Sequence, residues 1–314
     1  MRILVLGGTS FVGRAVVEHA LETGSELTLF SRGRTGTELF PSVERRVGDR
    51  DAGDYAALAD GSWDAVVDVS AYVPRHVQQA ADALQDRAGR YLFISTGSVY
   101  DVTQAPSEGL DEDCPRLAPE RGTEQVDGDT YGPLKVACED DVAARWGGRG
   151  TVVRPGVVAG PHDPTDRFTS WVRRAARGGR VALPGRPDQP VQVVDSRDLA
   201  HLVVALLQDD RAGTWNAVGP AEPTTLAGML HSCASAAGST VEVVPVPVEA
   251  APLVLPDASA DPLFRRSAAR ARAAGLTATP LEQTAADVLA WDRDRGEPEL
   301  SVGLSPAREA ELLR

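Results

Sequence analysis

Four consecutive apolar residues, Ile3-Leu4-Val5-Leu6, run directly into Gly7-Gly8-Thr9-Ser10-Phe11-Val12-Gly13 and then into a helical pattern over 12–23. The apolar run reads as a strand. Glycines straight after it let the backbone turn tightly and approach a bulky group. The helix that follows offers unpaired N–H groups and the positive end of its dipole, which together favour an anion such as a pyrophosphate. A glycine-rich stretch alone carries little weight. Between a leading strand and a helix it points to a dinucleotide-binding βαβ unit, the alternative being a structural turn in an unrelated α/β protein. Gly7, Thr9, Ser10, Phe11, Val12 and Gly13 are therefore candidate cofactor contacts.

Strand and helix patterns go on alternating: strands at 27–30, 66–69, 91–94 and 151–154, with helical stretches at 74–87 and around Lys135. Such alternation predicts a doubly wound parallel sheet of the Rossmann type. After Gly160 the chain becomes rich in Pro, Arg and Gly; segments at 191–194, 196–208 and 214–218 read as a return to the sheet. The expected organisation is a dinucleotide-binding core of 1–160 with 191–220, and a smaller, discontinuous C-terminal substrate lobe of 161–190 with 221–314.

A net charge of −13 opposes a nucleic-acid partner, which requires basic surface. Three cysteines without paired spacing fit a reducing cytoplasm. No apolar run has the length of a secretory signal or a membrane span, so a cytoplasmic protein without membrane contact is expected. The five histidines show no metal-ligand spacing, and no catalytic metal is expected.

Of the 32 basic residues, only Lys135 is a lysine. It stands four residues after Tyr131, which places phenol and ammonium on one helix face. A free phenol with a pKa of about 10 is a poor proton donor at neutral pH, and a neighbouring cation lowers that value. Tyr-x-x-x-Lys is a cheap match by chance; use of the only lysine removes most of that explanation. A hydroxyl to orient a substrate oxygen is offered by Ser95-Thr96-Gly97-Ser98, at the carboxyl end of a predicted strand, although a polar capping turn reads the same way.

The second predicted strand ends in Phe30-Ser31-Arg32-Gly33-Arg34, with no acid to hold a ribose 2′-hydroxyl. Arg32 and Ser31 instead suit a 2′-phosphate, hence NADP(H), against the alternative of a solvated turn arginine. Asp49 is either an adenine contact or an unremarkable surface residue.

These motifs, together with Arg154-Pro155-Gly156 leading to Gly160-Pro161, and Asp198-Leu199-Ala200, resemble an extended or atypical short-chain dehydrogenase/reductase of the NAD-dependent epimerase/dehydratase type. The resemblance implies hydride transfer at the nicotinamide. It carries the catalytic Ser/Thr onto Thr96, with Ser98 as a second candidate, and places the 68–72 segment, including Ser70, and Pro155 near the nicotinamide. Ser10 departs from the usual middle glycine. Val157 and Val191 stand where sugar-nucleotide enzymes of the family carry Asn and Arg, which puts that activity in doubt. The expected function is reduction of a carbonyl in a small, cyclic or aromatic substrate by NADPH, with Tyr131 as proton donor and a homodimer as the assembly. The alternatives are an NAD-dependent nucleotide-sugar epimerase or dehydratase, and a noncatalytic dinucleotide sensor or RNA-associated relative. His162 is either at the mouth of the site or in water. Phe168 and Trp171, with Leu253, Val254, Leu255 and Phe264, either wall a substrate pocket or form the lobe's own core. Arg167, Arg173 and Arg174 are candidates for a phosphate site of different geometry, against ordinary surface arginines.

Overall fold

The computed structural model describes residues 1–106 and 109–314. The chain divides into two compact units, 1–155 with 197–217 and 267–277, and 156–196 with 218–266 and 278–314.

In the first unit the apolar runs become β1 (Arg2–Leu6), β2 (Glu26–Ser31), β3 (Glu44–Val47), β4 (Trp63–Asp68), β5 (Ala88–Ile94) and β6 (Gly150–Pro155). With the strand Gly213–Ala217 they form a seven-stranded sheet in the order Gly213–Ala217, β6, β5, β4, β1, β2, β3. Every pairing is parallel. The order reverses between β1 and β4, which opens a crevice at the carboxyl ends of the strands, where doubly wound sheets take ligands. Ile3, Leu4, Val5 and Leu6 are all buried, as a central parallel strand covered on both faces requires. Helix α1 (Phe11–Glu22) follows the glycine loop. Helix α2 (Pro74–Leu84) lays Val77, Ala80, Ala81 and Leu84 into the core, and α3 (Tyr131–Trp146) adds Cys138, Val142 and Trp146. Trp146 stacks on Tyr91 of β5 at 4.9 Å, which pins the end of α3 to the sheet. Gly147, at φ +51°, ends α3.

The second unit packs helices Arg167–Ala176, Leu226–Ala236 and Leu281–Asp294 around an apolar core that includes Phe168, Trp171, Leu253, Leu255 and Phe264. Its strands come in pairs: Val157–Ala159 with Val193–Asp195, Pro190–Val191 with Thr224–Thr225, and Gly179–Leu183 with Val241–Pro245.

Two expectations need correction. The 191–194 segment does not rejoin the central sheet; it is split into two short strands inside the second unit. Pro190 has no N–H to give a ladder, and Gln192 between the strands turns its side-chain amide to Arg266, donating to its carbonyl and accepting from its N–H at 2.8 and 3.0 Å. The boundaries also move. Residues 156–160 and 191–196 belong to the second unit through their strand pairing, while 267–277 joins the first, where Ser267 N–H bonds to Leu110 O.

Candidate active site

The glycine loop has the geometry its sequence implies. Gly7 and Gly8 hold φ of +113° and +99°, values that L side chains rarely adopt. A Cβ on Gly13 would lie 2.7 Å from Gly8 N, so α1 starts hard against the loop. A Cβ on Gly7 would lie 2.5 Å from Val69 Cγ2, the residue just after β4. Ser10 precedes α1 in extended conformation, exposed, with its side chain making no cap. Thr9, Phe11 and Val12 are half-buried. This is a cradle of backbone N–H groups from which side-chain bulk is excluded, and it fits a pyrophosphate.

At the ends of β2 and β3, Arg32 lies 3.7 Å from Asp51 and Arg34 lies 4.0 Å from Asp49, all on the surface or close to it. Ser31 Oγ accepts from Gly33 N–H at 3.3 Å. The sequence showed no acid at the end of β2 itself; the fold supplies one from the loop that follows β3. Asp51 was therefore missed, because only the β2–β3 register brings it to Arg32.

Lys135 is buried, and its ammonium donates to the carbonyls of Ala71 and Ile94, both at 2.8 Å. These carbonyls stand just beyond β4 and at the end of β5. The Phe93 ring lies 4.0 Å from Nζ, a cation–π contact. Burial depresses the Lys135 pKa from 10.5 to about 8, with the Cys138, Asp68 and Glu139 charges opposing the shift. Tyr131 begins α3 one turn earlier, its ring 6.4 Å from that of Tyr72. Thr96, half-buried, caps the short turn Gly97–Val99 by accepting from Ser98 N–H at 3.1 Å, and its hydroxyl lies 3.3 Å from the exposed Ser98 hydroxyl. Pro155 ends β6, buried and in register with Ala217.

Behind the lysine stands a network that the sequence reading did not assemble. Glu139 takes Arg154 Nε and Nη2 at 2.9 and 2.7 Å, Arg116 at 3.0 Å and the Ser95 hydroxyl at 2.6 Å. Arg154 also donates to Tyr100 Oη at 2.9 Å, and that hydroxyl donates to Asn216 Oδ1 at 2.7 Å. The signal was present: Tyr131, Lys135 and Glu139 share one i, i+4 row, and a carboxylate on a helix's buried row needs a cation. Beside β4, Asp68 is fully buried against Arg50, with N–O distances of 2.6 and 2.7 Å, and accepts from Tyr91 Oη. Burial works to raise the Asp68 carboxyl, but the Arg50 guanidinium outweighs it and holds the group below the usual range. Ser70 Oγ accepts from Arg50 and donates to Leu6 O.

In the second unit, the substrate candidates Phe168 and Trp171 turn out to be core residues. Phe168 is 1% exposed, and Trp171 Nε1 donates to Pro252 O at 2.7 Å. Apolar residues at helical spacing read alike as pocket wall and as core, and here the core wins. Arg173 is held bidentately by Asp292, and Arg174 Nε is shared between the two oxygens of Glu309, so neither is a ready phosphate ligand. Arg167 is exposed, with Nε on Thr165 Oγ1. The His162 ring sits edge-on to Trp291 at 5.6 Å. Val191 is buried and Val157 half-buried. Among the described residues, no cluster of His, Cys, Asp or Glu is placed to hold a metal, and no helix is long and apolar enough to cross a membrane.

Comparison with known proteins bears on the fold and the family. The chain is 24% identical over 256 residues to the chloroplast stem-loop binding protein of 41 kDa b from Arabidopsis thaliana, covering 76% of this chain and 63% of that one, so it spans less than two thirds of that relative's length. Among solved structures it resembles UDP-N-acetylglucosamine 4-epimerase from Bacillus cereus (21% identity, TM-score 0.70, 93% of this chain and 99% of that chain). It also resembles UDP-glucose 4-epimerase from Thermus thermophilus in complex with NAD (21% identity, TM-score 0.67, 95% and 100%). At these identities the likeness speaks for the fold. The model of the NAD dependent epimerase/dehydratase family matches residues 3–218, and the chain belongs to that family.

Proposed function

We propose that the chain is an NADP(H)-dependent reductase that converts the carbonyl of a small molecule to an alcohol, with Tyr131 as proton donor. The observation that carries this reading is the lysine clamp: the only lysine, buried and fixed by the Ala71 and Ile94 carbonyls, one helical turn after Tyr131. A bound nicotinamide supplies the hydride. The glycine loop holds the pyrophosphate by its N–H groups, and Arg32 with Ser31 receives the 2′-phosphate. An ammonium has three donors, and two go to backbone carbonyls; the third serves the ribose and the phenol, while its charge favours the phenolate and eases proton release from Tyr131. Thr96, with Ser98 beside it, orients the substrate oxygen.

A second reading, nucleotide-sugar epimerisation or dehydration with NAD, is favoured by family membership and by the activities of the named structural relatives. Against it stand Val157 and Val191, and the carboxylates already on Arg173 and Arg174, because a diphosphate leaving water needs paired donors. Stem-loop binding, as in the name of the chloroplast relative, has no support in a chain of net charge −13, and a sensor without catalysis has no use for the Tyr131–Lys135 pair. The reductase is read as cytoplasmic and dimeric. The deciding assay follows NADPH oxidation with a panel of cyclic and aromatic ketones, and in parallel incubates the protein with nucleotide sugars. Ketone turnover is expected; turnover of a nucleotide sugar alone reverses the order of the two readings.

A further inference from the structure

The turn 68–71 touches both halves of the site. Its Val69 methyl fills the space over Gly7 and Gly13, 2.5 and 3.0 Å from where their Cβ atoms would stand. Val69 N–H and Ser70 Oγ both bond to Leu6 O, the carbonyl just before the glycine loop, at 3.2 and 3.0 Å. Ala71 O, at the other end of the turn, receives the ammonium of Lys135. The turn is held from below by Asp68, whose Oδ1 accepts the N–H groups of Ser70 and Ala71 at 3.0 Å each. Asp68 is itself aimed by Arg50, which binds both carboxylate oxygens and also reaches Ser70 Oγ at 2.8 Å, His76 O at 3.1 Å and Tyr55 Oη at 3.1 Å. A bidentate guanidinium–carboxylate pair fixes orientation as well as charge, and a buried one has no solvent to relax into.

We propose that Arg50 and Asp68 are positioning residues that set the glycine loop and the Lys135 ammonium as one unit, through the turn 68–71. Both side chains are buried, and they act on the loop and the lysine through the peptide groups of the turn. The inference deepens the proposed function and rests on its reading of the glycine loop and Lys135 as the cofactor machinery. Loosening the pair displaces Ala71 O and Leu6 O together, so the lysine and the loop respond jointly.

The chain's single lysine makes this testable without substrate or cofactor. Protein labelled with ¹³C,¹⁵N-lysine gives one Cε–Nζ correlation, and hydrogen exchange reads the amides of Gly7, Gly8 and Gly13. The variants are Arg50→Gln, Asp68→Asn and the double variant. The double variant removes both charges and so retains a folded protein if either single variant leaves a lone buried charge that unfolds it. Arg90→Gln, which breaks the Arg90–Asp210 pair at the opposite end of β5, serves as the control for general loosening. In the folded double variant the lysine correlation is expected to move and glycine-loop exchange to speed at least tenfold, with neither change in Arg90→Gln. An unmoved lysine signal, unchanged loop exchange, or the same changes in Arg90→Gln would each overturn the proposal. Failure of the wild type to bind any nicotinamide dinucleotide would overturn the proposed function instead, because neither readout uses the nucleotide.

Discussion

Glu139 grips Arg154 through both carboxylate oxygens, with side chains only 3% and 4% exposed, and thereby bolts α3 to β6 one helical turn beyond Lys135. The site is thus built in a row on one helix. Tyr131 opens the row beside the Tyr72 ring, Lys135 is clamped by carbonyls just beyond β4 and at the end of β5, and Glu139 anchors the row to the sheet. The anchor also organises the next strand along, because Arg154 passes through Tyr100 Oη to Asn216, and Asn216 N–H bonds to Glu112 at 2.8 Å.

Glu139→Gln keeps the shape and removes the charge, leaving Arg154 buried without its counter-ion. Removing one partner of a buried pair costs about 3–5 kcal/mol. The expected outcome is a fall in Tm of roughly 10 °C, measured by calorimetry. A loss of 1 °C or less would mean that solvent already screens the pair.

Tyr131→Phe is expected to lower kcat by roughly 10²- to 10⁴-fold, the range for loss of a general acid, with little change in nucleotide affinity. Lys135→Ala should weaken both, because the proposed reading has the ammonium serve phenol and ribose. Thr96→Ala should act mainly on kcat. Single-turnover kinetics and nucleotide titration separate these effects. A fully active Tyr131→Phe would assign the proton to solvent or to the substrate.

The depressed Lys135 pKa is also a statement about stability. The unfolded amine titrates near 10.5 and the folded one near 8, so between these values the unfolded state carries a proton that the folded state lacks. Stability from this group therefore rises with pH across that window, by about 1.4 kcal/mol per unit at most. Tyr91, which burial and then the Asp68 charge push well above 10, opposes the trend from pH 10 upward, and the buried Cys138 and Cys233 thiols, which burial pushes well above their ordinary 9, oppose it from about pH 8, so the lysine's share is read over pH 8–9.5 as a difference between two proteins. Denaturant unfolding of wild type and Lys135→Met over that interval should show a more positive slope in wild type than in the variant. Equal slopes in the two proteins would place the lysine near its ordinary pKa.

What could be read in the sequence was local. The glycine loop, the parallel alternation and the Tyr131–Lys135 spacing each lie within a short stretch whose periodicity fixes its geometry. What escaped notice depends on strand register. Arg50 meets Asp68 across 18 residues, and Asp51 reaches Arg32 only because β3 lies beside β2. Phe168 and Trp171 escaped for another reason: an apolar stripe on a helix has the same pattern whether it faces a ligand or its own core. The supposed strand at 191–194 was interrupted by Gln192, whose side chain does the work of a ladder elsewhere.

Cofactor preference is decided at the one surface where the structure complicates the sequence. Arg32 is half-exposed and Asp51 lies 3.7 Å away, so a 2′-phosphate must share the guanidinium with a carboxylate or displace it. An exposed pair of this kind contributes about 1 kcal/mol or less, while a charge-assisted phosphate contact with a planar fork is stronger, so the phosphate prevails. NADPH is expected to bind at least tenfold more tightly than NADH, a difference of about 1.4 kcal/mol. Arg32→Ala should abolish that preference by weakening NADPH alone. Asp51→Asn should enlarge it, because the competing charge is gone while the guanidinium remains. The enlargement should shrink as salt is raised, since both groups face water. Titration of the three proteins with both nucleotides checks all of this. Equal affinities in wild type, or a preference for NADH that Asp51→Asn reverses, would instead make Asp51 the acid that holds a ribose hydroxyl, and the cofactor NAD.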